Sequence, residues 1–297
     1  MDLEAANQRS VYGWIEQPRS VRANDLLEIG VEILHIEVDG RPIAFTRSGT
    51  GPALVLLHGF SHDSRVWRPQ LEILSNRFTV IAWDAPGAGQ SPDPPVGFGI
   101  GDWAACLAGV LEACGIYRAH ILGLSWGGLV AQEIFRSHPR LVRSLVLADT
   151  YAGWAGSLPT PIPEERLAAC LADSWLPPAE FVARYLPTMF SDSAPHATRR
   201  ELAGIMADFH PEGFRMMATA LAHADTRNLL PTIDVPTLLV WGAADLRSPL
   251  SVADQFSSAI PQATLAVIAG AGHVSNLEAP EQFNAAVSAF LESIEGG

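Results

Sequence analysis

A chain of 297 residues that is 48% hydrophobic and carries eight tryptophans holds enough apolar material for a large core, which excludes a disordered chain. Nineteen basic against thirty-two acidic residues leave a net charge of −13, which argues against a nucleic-acid or anionic-membrane partner. Three cysteines, Cys106, Cys114 and Cys170, form no CxxC pair; no N-terminal basic region leads into an apolar stretch, and no run approaches ~18 uninterrupted apolar residues, so the expected location is the cytoplasm.

Residues 1–32 read as a weakly periodic arm, either a swapped element of a homodimer interface or a cover for the sheet. "ILHIEVDGRPIAFTRSGTG" then alternates like two strands joined at Asp39-Gly40, a hairpin signal. "ALVLLHG" (53–59) and "FTVIAWD" (78–84) are short and apolar, as strands buried on both faces are, and between them Trp67, Leu71 and Leu74 share a helical face. "GDWAACLAGVLEACG" (101–115) predicts a helix with Asp102 as N-cap, Gly115 as C-cap, and a stripe of Trp103, Leu107, Val110, Leu111 and Cys114. Strand "AHILGL" (119–124), a helix from Trp126 and strand "RSLVLAD" (143–149) continue the alternation.

From Thr150 to about Asn228 the pattern changes to proline-punctuated, helix-like stretches such as "PEERLAACLADS" and "EGFRMMATALAHA", with no convincing strand. Strands "VPTLLVWG" (235–242) and "ATLAVIAG" (263–270) follow, then a last helix with Phe283, Val287, Phe290, Leu291 and Ile294 on one face. Strands alternating with helices imply an α/β fold, a mostly parallel sheet flanked by helices. The helical block, entering after one strand and leaving into the next, is expected to roof one sheet edge. Ligands bind at such an edge, outside the carboxyl ends of strands.

Within that frame Gly123-Leu124-Ser125-Trp126-Gly127 fits G-x-S-x-G between a strand and a helix. A sharp turn there pushes the serine hydroxyl out at the top of the sheet, and flanking glycines remove the bulk that would clash. The turn is expected to display the serine rather than bury it. A serine hydroxyl is a weak nucleophile until a base takes its proton, and the base in turn needs an orienting acid. His273, in "IAGAGHVSNLEAP", and Asp245, in "VWGAADLRSP", each follow a strand and so emerge at the same sheet edge as Ser125. The chain order Ser, Asp, His suits this arrangement. Asp149, also at a strand end, is the rival acid, although a strand cap is its simpler role; Asp84 heads a Pro/Gly loop whose N–H groups it can hold.

Taken with His58-Gly59, "DAPGAGQS" (84–91), "WGAAD" (241–245) and "GAGH" (270–273), these motifs resemble the α/β-hydrolase superfamily with a helical cap. The subgroup it resembles contains esterases, enol-lactonases, meta-cleavage-product hydrolases and cofactor-free haloperoxidases. The resemblance spans roughly residues 33 to 295 and implies a core of 33–149 with 229–297 and a cap over 150–228. It implies Ser125 as nucleophile, His273 as general base and acid, Asp245 as orienting acid, and an oxyanion hole from the N–H groups of Phe60 and Trp126. Neither metal nor organic cofactor is implied. Candidate substrate-wall residues are Trp154 and Met189 of the cap, His58, and Trp126 unless its ring turns inward. The expected partner is a small ester or lactone with an apolar portion. The same triad leaves open a C–C bond hydrolase, a prolyl-iminopeptidase-like enzyme, and a slow-turnover ligand receptor.

Overall fold

The computed structural model describes residues 32–296, so the arm expected over residues 1–32 lies outside the described residues but for Glu32. The strands Ile33–Val38 (β1) and Arg41–Ser48 (β2) pair antiparallel across Asp39 and Gly40, whose φ values of +50° and +73° belong to the type I′ turn that matches strand twist. Ala53–Leu57 (β3), Thr79–Trp83 (β4), Ala119–Leu124 (β5), Val142–Ala148 (β6), Thr237–Gly242 (β7) and Ala263–Ile268 (β8) complete the sheet. Among the described strands the order is β1-β2-β4-β3-β5-β6-β7-β8, with β2 alone running against the rest. All residues of β4, β5 and β7 are buried. Because successive side chains point to opposite faces, both faces must be covered.

Three helices return the chain between these strands: Arg68–Leu74 (α1), Ile100–Ala113 (α2) and Trp126–Ser137 (α3). Asp102 is not the N-cap of α2. Gly99 caps it, and the Asp102 carboxylate, one turn in, accepts the Gly99 N–H at 2.8 Å. An acid at that position satisfies a free first-turn N–H and faces the positive end of the helix dipole, so the residue keeps its function but shifts place. At the other end Cys114 is the cap, and Gly115 follows it with φ +70° while Ile116 N–H reaches back to Leu111 O at 2.8 Å. That is a Schellman closure, in which glycine takes the left-handed position.

Between β6 and β7 the chain forms helices Trp154–Ser157 (α4), Ile162–Asp173 (α5), Pro178–Tyr185 (α6), His196–Met206 (α7) and Pro211–His223 (α8). The prolines that spoil strand periodicity there have a local use. Pro163, Pro178 and Pro211 sit in first helical turns, where a missing N–H leaves no bond unmade. Phe181, Tyr185, Phe209 and Phe214 stack into one aromatic cluster, and Phe214 continues it onto Phe60 of the loop after β3 at 5.1 Å. Burial of these rings, rather than the rim pairs Arg65–Asp208 and Arg68–Glu201, carries the adhesion, since exposed ion pairs contribute little.

Leu250–Ala259 (α9), Ser275–Glu278 (α10) and Pro280–Glu295 (α11) close the chain. α2 packs on α3, and α11 packs on α1. Among the described residues no helix is long and apolar enough to cross a membrane.

Candidate active site

The turn from β5 to α3 holds Ser125 at φ +54° and ψ −116°, a conformation few side chains adopt. It persists because the surroundings over-determine it. The Ser125 N–H donates to Ala148 O at 2.8 Å, and the Thr150 hydroxyl donates to Ser125 O at 2.5 Å. No side chain fits beside it: a Cβ at Gly123 would lie 2.3 Å from Gly127 O, and one at Gly127 would lie 2.1 Å from Leu57 O. Contrary to the expectation of a displayed serine, Ser125 is only 2% exposed. The chain between β6 and β7 packs on the loops around it, Phe214 on Phe60 and Met189 O on the Val274 N–H.

His273 stands on the loop after β8, and Asp245 on the loop after β7. His273 Nε2 is 2.9 Å from Ser125 Oγ, and its Nδ1 is 2.8 Å from Asp245 Oδ2. The neutral tautomer that donates from Nδ1 to Asp245 leaves Nε2 free to accept the serine proton. Asp245 is itself fixed, its Oδ1 accepting N–H groups of Arg247 at 2.7 Å and Ser248 at 2.9 Å. The His273 loop is tied to the helical segment on both sides: Val274 N–H donates to Met189 O at 3.1 Å, and Gly272 N–H donates to Glu278 Oε2 at 2.8 Å. Glu278 also takes the Ser191 N–H at 3.1 Å. His273 and Asp245 are both buried, so this chain of hydrogen bonds is shielded from competing water.

Asp149 is fully buried and holds Gly242 N–H at 2.7 Å and the Ser275 hydroxyl at 2.5 Å, with no bond to His273. Burial, then the charge of Asp245, pushes its carboxyl well above the usual range. A carboxyl whose folded pKa exceeds its unfolded value of about 3.9 stabilises fully below that pH, and the contribution is lost as pH rises through the folded value. Asp149→Asn cannot ionise. Its melting temperature relative to wild type is therefore expected to rise as the pH is raised above about 4. Circular-dichroism melts measure this, and a flat or falling difference would contradict the raised carboxyl. Asp84 takes the N–H groups of Ser64 and Gln90, both at 2.8 Å, bracing two loops; burial and then the Asp63 charge raise it to about 6.

The N–H groups of Phe60 and Trp126 have no protein acceptor among the described residues. Two of the candidate wall residues, Trp126 and His58, make core contacts. The Trp126 ring turns inward, edge-on to Trp103 at 5.2 Å and beside His58 at 6.1 Å. His58 has both nitrogens committed, Nδ1 donating to Gly59 O at 2.8 Å and Nε2 accepting from Ala85 N–H at 3.1 Å. The start of a helix fixes backbone direction, whereas a ring that size takes the deepest apolar space available, here against α2. Trp154 stands edge-on to Phe60 at 6.1 Å, and Met189 reaches the His273 loop through its carbonyl; both are buried.

Two site residues escaped the sequence reading. His62 is buried, is pushed down to about 3 by that burial and next by the charges of His58 and His273, and among the described residues neither ring nitrogen has a partner. Arg247, two residues past Asp245, lays its guanidinium over the Phe60 ring at 5.5 Å. Both lie on loops that carry predicted site residues, and that proximity was the available signal.

A family model described as the alpha/beta hydrolase family matches residues 54–286. The polyketide synthase ThaQ of Burkholderia thailandensis is 34% identical over 256 residues, 83% of this chain; the chain spans only 12% of that protein's length. The 3-oxoadipate enol-lactonase 1 of Acinetobacter baylyi is 28% identical over 82% of this chain and 90% of its own. Among solved structures, a thermophilic esterase from Thermogutta terrifontis superposes with a TM-score of 0.81 at 28% identity, covering 89% of this chain and 99% of that one.

Proposed function

We propose that this chain, which belongs to the alpha/beta hydrolase family, is a serine hydrolase that cleaves carboxylic esters or lactones of small molecules with an apolar portion. The observation that carries the reading is the buried relay Ser125–His273–Asp245, with contacts of 2.9 and 2.8 Å. In this reading Ser125 Oγ forms a bond to the substrate carbonyl carbon as His273 Nε2 takes its proton. The carbonyl oxygen becomes an oxyanion, held by the N–H groups of Phe60 and Trp126, and losing one such donor typically costs ~3–4 kcal/mol of transition-state stabilisation. The carbon–oxygen bond to the alcohol then breaks, and His273 returns the proton to that oxygen. Water repeats the sequence on the acyl-serine: His273 takes its proton, the acid leaves, and Ser125 is restored. Asp245 keeps the imidazole in the tautomer that can accept and stabilises it once charged. Residues 33–149 and 229–297 form the catalytic core in this account, and 150–228 act as a cap that excludes water from the acyl intermediate.

The partner is a small ester or lactone. Three free cysteines support placing the protein in the reducing cytoplasm. The test is a panel of short and long esters, lactones and a dienoate, assayed against wild type and Ser125→Ala. Multiple turnovers of an ester or lactone that vanish in the variant are expected. Cleavage of the dienoate alone would replace this reading by C–C hydrolysis, and stalling after about one turnover per chain would replace it by a receptor.

A further inference from the structure

A general base works only while its nitrogen stays within hydrogen-bond reach of the hydroxyl it serves, and such precision comes from the groups that hold it. The His273 ring bonds Ser125 and Asp245, so the rest of its placement is set by the backbone on either side. Both flanking peptide groups are pinned. Gly272 N–H donates to Glu278 Oε2 at 2.8 Å, and Val274 N–H donates to Met189 O at 3.1 Å. The seat is tight, since a Cβ at Gly272 would lie 2.7 Å from the Phe190 carbonyl carbon and from Ser191 N.

Glu278 bridges the two sides of that seat. It ends α10, a single turn fastened to the core by the Ser275 hydroxyl on Asp149 at 2.5 Å and by the Asn276 amide on Val66 O at 2.9 Å. From this base the carboxylate takes three donors: Gly272 N–H and Ser191 N–H on Oε2, and the Ser191 hydroxyl on Oε1. Among the described residues no basic side chain pairs with Glu278, so its bonds go to loop donors alone. Ser191 is seated in turn by Arg199, which donates from Nη2 to its carbonyl at 2.5 Å and lies over the Phe190 ring at 5.5 Å.

We propose that Glu278 is a positioning residue for His273, one that holds the His273 loop in register with residues 189–191 so that Nε2 reaches Ser125 only while that segment is seated. The inference rests on the serine-hydrolase reading and adds a residue to it. Two N–H groups from separate segments share one carboxylate oxygen, so a shift of either segment is passed to the peptide next to the histidine. What matters is the reach of the side chain rather than its charge. An amide of equal length can make the same bonds, its oxygen accepting the two N–H groups and its nitrogen donating to the Ser191 hydroxyl.

The test measures kcat and KM for p-nitrophenyl butyrate in variants whose fold is checked by circular dichroism. Glu278→Asp keeps the charge but is one methylene short, and is expected to lower kcat and kcat/KM alike by about 100-fold, the cost of a small misplacement of a reacting group. Glu278→Gln should restore most of kcat. Ser191→Ala, which removes one of the three donors, should cause a smaller fall. Glu201→Gln cuts the tie to Arg68 elsewhere on the same segment and should cause none. A second readout needs no turnover. The proton between His273 Nδ1 and Asp245 gives a far-downfield NMR signal, assigned by its loss in Asp245→Asn. It should be present in wild type and Glu278→Gln, weaker in Ser191→Ala and broadened away in Glu278→Asp. If Glu278→Asp does not fold, Ser191→Ala decides by the same two readouts. If Ser125→Ala turns over normally, the serine reading fails and the NMR signal alone judges Glu278. An unchanged kcat or signal in Glu278→Asp would overturn the inference. So would a loss in Glu278→Gln as large as in Glu278→Asp, which makes charge the cause, or an equal fall in Glu201→Gln, which makes it general loosening. No change in Ser191→Ala would overturn the link to residues 189–191.

Discussion

Ser125→Ala is expected to lower kcat for any substrate of the protein by about 10⁶-fold, the loss seen when a triad nucleophile is removed. In this account the side-chain oxygen is the atom that bonds to the carbonyl carbon, and among the described residues no other hydroxyl bonds His273 Nε2. The fold should survive. Among the described residues the hydroxyl bonds His273, and its loss costs about 1 kcal/mol as a single hydrogen bond. Alanine tolerates the strained backbone of this turn no worse than serine, and the glycines that create the space are untouched. Steady-state kinetics and a thermal melt on the same sample measure both halves. Activity that persists in a folded variant would remove Ser125 from the mechanism.

Asp245→Asn is expected to lower kcat by ~10⁴-fold with little change in structure, by analogy with the same exchange in other triads. The amide oxygen can still accept the Arg247 and Ser248 N–H groups that orient the side chain. The amide nitrogen would then donate to His273 Nδ1, forcing the proton onto Nε2, where it blocks acceptance from Ser125. The defect lies in the tautomer rather than in lost contact. Asp149→Asn makes the contrast, because Asp149 bonds Gly242 and Ser275 and not the imidazole. If the Asp149 variant showed the larger loss of kcat, the assignment of the orienting acid would be wrong.

Much of this arrangement was legible in the sequence because it is one-dimensional. Alternating or fully apolar runs mark β1 to β8, and a residue just past the end of a parallel strand must emerge at the same sheet edge as its counterparts on neighbouring strands. By that rule alone Ser125, Asp245 and His273 share one edge. Glycine at 123 and 127 announced a close approach of backbone, which the short distances to Gly127 O and Leu57 O make concrete.

What sequence did not reveal depends on side-chain direction and on what covers what. Trp126 occupies a position that could face either the substrate or the core, and the space against Trp103 decides it. Ser125 was expected to be displayed but is buried, and nothing local to residue 125 signals it. Asp102 stands one turn inside its helix because Gly99 can supply the cap. Beyond its place on the Asp245 loop nothing local marks Arg247; only the fold brings Phe60 and Tyr185 against its guanidinium, at 5.5 and 6.0 Å.

The central claim is that Ser125 becomes covalently acylated during turnover. Rapid acid quench of the protein during hydrolysis of a good ester, followed by intact-mass and peptide-mass measurement, tests it directly. The account predicts an acyl adduct on Ser125, formed at least as fast as product and absent from Ser125→Ala. Turnover without any adduct, or an adduct on another residue, would contradict it.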